Sequence, residues 1–243
     1  MRQQDDTPRE PLNRARALEA AVALADESGI DSVSMRNLAG RLGVVPMALY
    51  KHVANKDDLL GGMVDVVMAE YDLEAPTGTD WKEGIRARVL SAREALGRHP
   101  WARQVIETRT TRTPSVLGYM DALAGVFIAG GFSPDLTHHV MHVLGHRIWG
   151  FSPEAFDESR DASPSELADP PQDSQRKQEM IARMEQVYPH IVAIALAASE
   201  GDPARVGTGC DEQFEFEFAL DLLLDSFERL LRAGGVPGRA TRT

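Results

Sequence analysis

The sequence predicts an all-α protein. Apolar residues recur at helical spacing along most of the chain, Pro and Gly stand where helices should start and stop, and no segment alternates polar with apolar residues as a strand would. At 243 residues and 43% hydrophobic content, the chain suits a small N-terminal domain followed by a larger one, each able to bury a core.

The elements follow in order. Asn13 can cap a first helix whose Leu18, Ala21, Val22 and Ala25 repeat at i, i+3, i+4 and i+7 before Gly29. Ser34 caps a second helix with Leu38 and Leu42 on one face, stopped by Gly43. Pro46 fits the first turn of a third, expected to run to about His52, because its missing N–H needs no partner there. Asn55 caps a fourth, expected to reach about Tyr71, with Asp57 and Asp58 in its electropositive first turn and Leu59, Leu60, Met63, Val64 and Val67 as its buried stripe.

Ala75 to Asp80 reads as a linker, since Pro and Gly punctuate it and the apolar period restarts at Trp81. A fifth helix carries Ile85, Val89, Ala92 and Leu96 as far as His99-Pro100; a short sixth leads into the polar loop Thr108 to Thr113. Pro114 opens a seventh with Val116, Met120, Leu123 and Phe127 inward, and Ser133-Pro134 an eighth reaching about Phe151. Residues 152 to 173 hold too few apolar groups to offset their ordering entropy and are expected to be a mobile loop. Helical period resumes from about Ser174, breaks at Pro189, and ends in a strong helix from Asp211 to Arg232.

Charge is segregated along this series. The net charge is -11, yet residues 1 to 56 hold eight Lys/Arg against seven Asp/Glu, and the stretch from Ser32 to Lys56 has four cations and no acid. That stretch also reads as two short helices about a glycine turn, the form a chain uses to lay a helix in a DNA groove. The exposed face of the third helix would present Pro46, Met47, Ala48, Lys51 and His52: Lys51 and His52 can donate to base edges or phosphates, and Met47 and Ala48 can meet a thymine methyl.

The run from Gly29 to Leu60, with its string Leu49-Tyr50-Lys51-His52-Val53-Ala54-Asn55-Lys56, closely resembles the DNA-binding domain of the TetR family of transcriptional repressors. The resemblance implies that Tyr50 and Lys56 hydrogen-bond to backbone phosphates, with Ser34 and Arg36 doing so from the start of the second helix. At Val45 the chain departs from many relatives, which place a capping hydroxyl there. The remainder resembles, more weakly, the ligand-binding domain of the tetracycline repressor class, through His99-Pro100-Trp101, Thr108-Arg109, Gly130-Gly131-Phe132-Ser133, Gly145-His146 and the helix from Phe214 to Leu231. The positions matching that class's metal- and drug-holding histidines are Asp72 and Val105, so magnesium-tetracycline does not carry over.

The resemblance implies four segments: a flexible tail over 1–12, a three-helix helix-turn-helix domain over 13–60, a helical ligand-binding and dimerisation domain over 61–233, and a flexible tail over 234–243. A pocket between the fifth and eighth helices would be lined by Trp101, Met120, Phe127, His142, Arg147 and Trp149, with Arg109 where a ligand signal reaches the core. His138, His142 and His146 share one face of the eighth helix; without a third ligand type and a second shell they read as a half-polar stripe, and neither metal nor cofactor is expected. A single cysteine, Cys210, excludes a disulfide framework, and a polar N-terminus with no long apolar run points to a cytoplasmic protein and away from membranes.

No Gly-rich phosphate loop, Gly-x-Ser-x-Gly elbow or His-Glu-x-x-His motif is present, which argues against an enzyme. The expected function is a ligand-responsive repressor: a homodimer on a palindromic double-stranded DNA operator, released by a small-molecule effector. An activator or a ligand-independent regulator on the same fold is the alternative. The final helix, with Phe216, Leu220, Leu223, Phe227 and Leu230 in one stripe, is expected to pair with its copy, as is the eighth.

Overall fold

Each helix of the N-terminal region except the third starts on a side-chain cap. Asn13 Oδ1 accepts from Arg16 N at 2.8 Å to begin α1 (Arg14–Ser28), Ser34 Oγ from Asn37 N at 3.1 Å to begin α2 (Met35–Leu42), and Asn55 Oδ1 from Asp58 N at 2.8 Å to begin α4 (Lys56–Met68). Such caps contribute about 1 kcal/mol each. Gly43 ends α2 in the left-handed region at φ 67°, ψ 34°, a conformation that other L residues adopt at a cost.

Between them α3 (Pro46–Leu49) is a single turn. It stops short of the expected His52, because the chain beyond Leu49 closes into tight turns, His52 N donating to Leu49 O at 2.8 Å. Lys51 and His52 therefore stand on a turn that prolongs α3. In the same way α4 ends at Met68 before the expected Tyr71.

The computed structural model describes residues 11–72, 80–109, 111–149, 170–199, 201–202 and 211–235. Outside them lie residues 75–79 of the expected linker, Thr110, residues 152–169 of the expected loop, Cys210 and most of both expected tails. After α4 come α5 (Trp81–Arg98), α6 (Pro100–Thr108), α7 (Pro114–Ala129), α8 (Pro134–Trp149), α9 (Pro170–Val187), α10 (Pro189–Ala198) and α11 (Glu212–Arg232). Among the described residues there is no strand. The helix expected from Ser174 begins four residues earlier, at Pro170, where a proline suits a first turn.

Two compact units divide the chain: Met1–Gly150 with Leu224–Thr243, and Phe151–Leu223. In the first, α4 packs against α1 and also against α5, α6 and α7, so the boundary expected at residue 60 falls inside a continuous helix. In the second, α9 and α10 pack about Ile181 and Val192, joined by Met184, Ala195 and Leu196. Two stripes differ from expectation. On α7, Tyr119 is buried where Met120 was expected and Met120 is half-buried, since the inward line runs Val116, Tyr119, Leu123, Phe127. On α11 the buried line is Phe216, Leu220, Leu224 and Phe227, leaving Leu223 and Leu230 half-buried.

The first unit is closed by an aromatic cluster: Phe132 sits 4.8 Å from Trp81 and 5.0 Å from Phe127, and Phe127 sits 6.1 Å from Phe227, between ring centroids. A side chain at Gly130 would place Cβ 2.6 Å from Trp81 Cβ, near rigid backbone. Gly130→Ala is expected to destabilise the protein by about 1–3 kcal/mol through this overlap, read as a lower midpoint in thermal unfolding.

Candidate DNA-reading face and its ties to the body

Leu38, Ala39, Leu49 and Val53 are buried and fix α2 against α3. This turns Val45, Pro46, Met47, Tyr50 and Lys51 outward. Met47 is 72% exposed and Tyr50 47%, so neither belongs to the core. Arg36 and Lys56 are exposed, while Ser34, Ala48 and His52 are half-buried. Ser34 Oγ is engaged as the α2 cap, and the His52 carbonyl accepts from Arg14 Nη1 at 2.9 Å.

The acids that could neutralise this face are held elsewhere. Glu27 pairs with Arg41 at 2.5 Å, Asp58 with Arg14 at 2.6 Å, and Asp57 with Arg109 at 2.7 Å. Among the described residues no acid pairs with Arg36, Lys51 or Lys56. These cations are exposed without an acidic partner among the described residues, and Met47 projects an apolar side chain from the same region.

Two polar ties join this head to the helices behind it. The first is Arg109, at the end of α6, which reaches the opening turn of α4: Nη1 donates to Asp57 O at 2.8 Å and to Asp57 Oδ1 at 2.7 Å, and Nη2 to Oδ2 at 3.2 Å. Its guanidinium crosses α4 over Gly61, where a Cβ would come within 3.1 Å of Nη2, so the glycine makes room for the clamp. The second centres on buried His99 between α5 and α6. Its Nδ1 meets the Asp26 carboxylate of α1 at 2.9 and 3.0 Å and its Nε2 meets Glu70 Oε1 at 2.9 Å. Trp101 Nε1 adds a bond to Asp26 Oδ1 at 2.7 Å, and Arg98 grips Glu70 Oε2 at 2.8 and 3.0 Å.

Carboxylates in these ties are shifted. Burial pushes Glu70 up, but its bonds to Arg98 and His99 outweigh that and hold it below its ordinary value. The Arg14 bond, then the Ala54 N–H, depress Asp58. A carboxylate with a depressed folded value contributes stability that is present above its unfolded value and lost as pH falls through the folded one. The thermal midpoint is therefore expected to fall on acidification through and below the ordinary carboxylate range, and Asp58→Asn to blunt that fall.

The residues expected to line a pocket differ in their surroundings. Trp101 is committed to Asp26 and Arg109 to Asp57; Phe127 is fully buried in the aromatic cluster. Met120 and Arg147 are half-buried, His142 is exposed, and the Trp149 side chain lies outside the described ones. His138 stands edge-on to His142 at 4.6 Å, and His146 Nδ1 donates to His142 O at 2.7 Å. Among the described residues, no group of three or more His, Cys, Asp or Glu is gathered to hold a metal ion. Asp72 N donates to Ser91 Oγ at 2.7 Å and Val105 is buried and apolar. Nor is any helix among the described residues long and apolar enough to cross a membrane.

Residues 17–63 match the model of bacterial regulatory proteins of the tetR family, and residues 74–231 match the tetracyclin repressor-like C-terminal domain. An HTH-type transcriptional regulator of Saccharopolyspora erythraea is 36% identical over 121 residues, 50% of this chain. The HTH-type transcriptional repressor DrrR1 of Streptomyces coeruleorubidus is 31% identical over 143 residues, 58% of this chain. The chain spans about half the length of these relatives, 51% and 53%. In fold it is similar to ActR of Streptomyces coelicolor, solved in complex with actinorhodin: TM-score 0.67 at 21% identity, covering 90% of this chain and 98% of that one. One model takes in the N-terminal helices and the other most of the remaining chain, and the protein therefore belongs to the TetR family of bacterial transcriptional regulators.

Proposed function

We propose that the protein is a ligand-responsive transcriptional repressor, binding a palindromic operator as a homodimer through Arg36, Met47, Ala48, Tyr50, Lys51, His52 and Lys56 and released by a small molecule. The observation that carries this reading is the acid-free face of Arg36, Lys51 and Lys56 on a head tied by Arg109 and His99 to the helices behind it. It is supported by the repressor DrrR1 among the relatives and by ActR, of the same fold, having been solved with actinorhodin. Release requires the effector to bind the DNA-incompetent state more tightly, because equal affinity for both states shifts nothing. A ligand that displaces α6 or α7 would act on α4 through the Arg109 clamp and swing the head.

A gel shift against the DNA flanking the protein's own gene, with and without candidate effectors, tests the reading. Binding that no compound relieves would favour the ligand-independent regulator. In the same assay Lys56→Ala is expected to weaken binding to all sequences and to flatten the salt slope by about one unit, as loss of one phosphate contact does. Changes at Met47, Ala48 or Lys51 should instead alter sequence preference, and Tyr50→Phe should lower affinity without unfolding the head. Equal salt slopes for wild type and Lys56→Ala would remove the phosphate assignment.

A further inference from the structure

Behind the head, polar tips converge where α4, α5, α6 and α7 pack together. Tyr71, just past α4, and Tyr119 of α7 meet edge to face with ring centroids 5.2 Å apart, and they are only 6% and 1% exposed. Neither hydroxyl has a hydrogen-bond partner, and neither does the buried Nε of Arg88 on α5. Arg88 Nη1 is spent on Gly84 O of its own helix at 2.9 Å. Burial pushes both phenols well above the ordinary tyrosine range; Arg103 pulls Tyr71 back and Glu70 pushes it up, while Tyr71 pushes Tyr119 up and Arg88 pulls it back. At neutral pH both therefore remain O–H donors.

Leaving a buried polar group without a partner is costly, so two tyrosines in ring contact, with an arginine near enough to act on one of them and an unpartnered atom on all three, call for an explanation. The set is specific in kind: the guanidinium N–H can only donate, and each protonated phenol adds an O–H donor beside an oxygen that can also accept. The Glu70 carboxylate acts on Tyr71 but is bonded to Arg98 and His99 and to neither hydroxyl, so the three donors stay open to a second acceptor-rich anion. One turn from Tyr119 on its own helix stand Val116 and Leu123, both buried, so whatever carries that group has an apolar body.

We propose that Tyr71, Tyr119 and Arg88 form the polar end of the effector site and receive the carboxylate of an apolar small-molecule acid, with Arg103 adding positive charge. This rests on the reading of the protein as ligand-responsive and names the class of ligand. It also places the effector against the far end of α4, the helix whose first turn Arg109 clamps beside the reading head.

Sodium 2-naphthoate and its uncharged analogue 2-naphthalenemethanol are the probes, titrated calorimetrically into the full chain. Wild type should prefer the carboxylate by about ten-fold or more, the range of a charge-assisted hydrogen bond. Tyr71→Phe and Tyr119→Phe should each weaken 2-naphthoate about ten-fold and barely change the alcohol, and Arg88→Met should abolish the preference. Because these hydroxyls are unpartnered in the free protein, both Phe variants should melt at the wild-type temperature or above it.

Equal affinity of wild type for the two probes, or no binding of 2-naphthoate, overturns the proposal without any variant. So do Phe variants that melt several degrees lower and bind 2-naphthoate as wild type does, which would make the tyrosines structural. Operator release is read separately by gel shift. Release by an uncharged compound, with 2-naphthoate unbound, would overturn the carboxylate assignment and keep the regulator reading; selective binding of 2-naphthoate without release would support the site and count against its coupling to DNA.

Discussion

Arg109→Ala is expected to leave effector binding intact and to abolish release of the operator. Arg109, the residue that caps the C-terminus of α6, is bonded to the first turn of α4 through Asp57 O and both Asp57 carboxylate oxygens. Its side chain is only 13% exposed, whereas that of Asp57 is 77% exposed, so part of the ion pair is screened by water. The expected loss of stability is accordingly on the order of 1–2 kcal/mol, most of it from the desolvated bond to the backbone carbonyl. Mechanically the loss is larger, because movement of α6 would no longer be passed to Asp57 and hence to Lys56 and the reading face. Arg109→Lys should not restore release, since a single ammonium cannot reproduce the two-pronged grip. Calorimetry with a confirmed effector and a gel shift on the same samples separate the two properties. A variant that both binds effector and releases DNA as wild type does would show that the signal travels through His99 instead.

The head was legible in the sequence because its determinants are local. Asn13, Ser34, Asn55 and Gly43 act within three or four residues of the helix ends they define, and each is found in that role. The expected length of α3 exceeds the observed one because a tight turn that prolongs a helix keeps its spacing, so periodicity alone does not tell the two apart. The ties behind the head were invisible for the opposite reason. Asp57 and Arg109 lie 52 residues apart, and Asp26 and His99 73 apart, and no spacing rule connects them until packing brings α6 onto α4 and α1. Trp101 illustrates the difference: its motif is local, but the bond of its indole N–H to Asp26 emerges only from packing. Tyr119 was missed because Met120 satisfies the same apolar pattern one residue on; its unpartnered hydroxyl can be recognised only in three dimensions.

Phe218→Glu, alone or with Phe214→Glu, is expected to convert the protein from a dimer to a folded monomer and to remove tight operator binding. The inner line of α11 is already buried at Phe216, Leu220, Leu224 and Phe227. The outer line is apolar too, with Phe214, Phe218 and Leu222 at i, i+4 and i+8 exposed by 59, 53 and 52%, and the two phenylalanine rings stack at 6.1 Å. Such a stripe fits the pairing surface of the proposed homodimer, and a two-fold pairing would set each residue near its own copy. A glutamate there opposes another glutamate on a helix that already carries Glu215, Asp221 and Asp225, so the charge would act against association in every dimer formed. The dimer should bury on the order of 2,000 Å² or more, and its dissociation constant should rise about a thousand-fold or more on losing the centre of that surface. Sedimentation at micromolar concentration should show twice the chain mass for wild type and the single mass for the variant. Operator affinity should then fall by on the order of 10²–10⁴, because each head would bind its half-site without the effective concentration provided by the other. Leu220→Ala, on the inner line, is the contrasting control: it should lower the melting temperature and leave the mass doubled. If Phe218→Glu still sediments as a dimer, the pairing surface lies away from the outer line of α11, and the exposed Val143 face of α8 is the next to substitute.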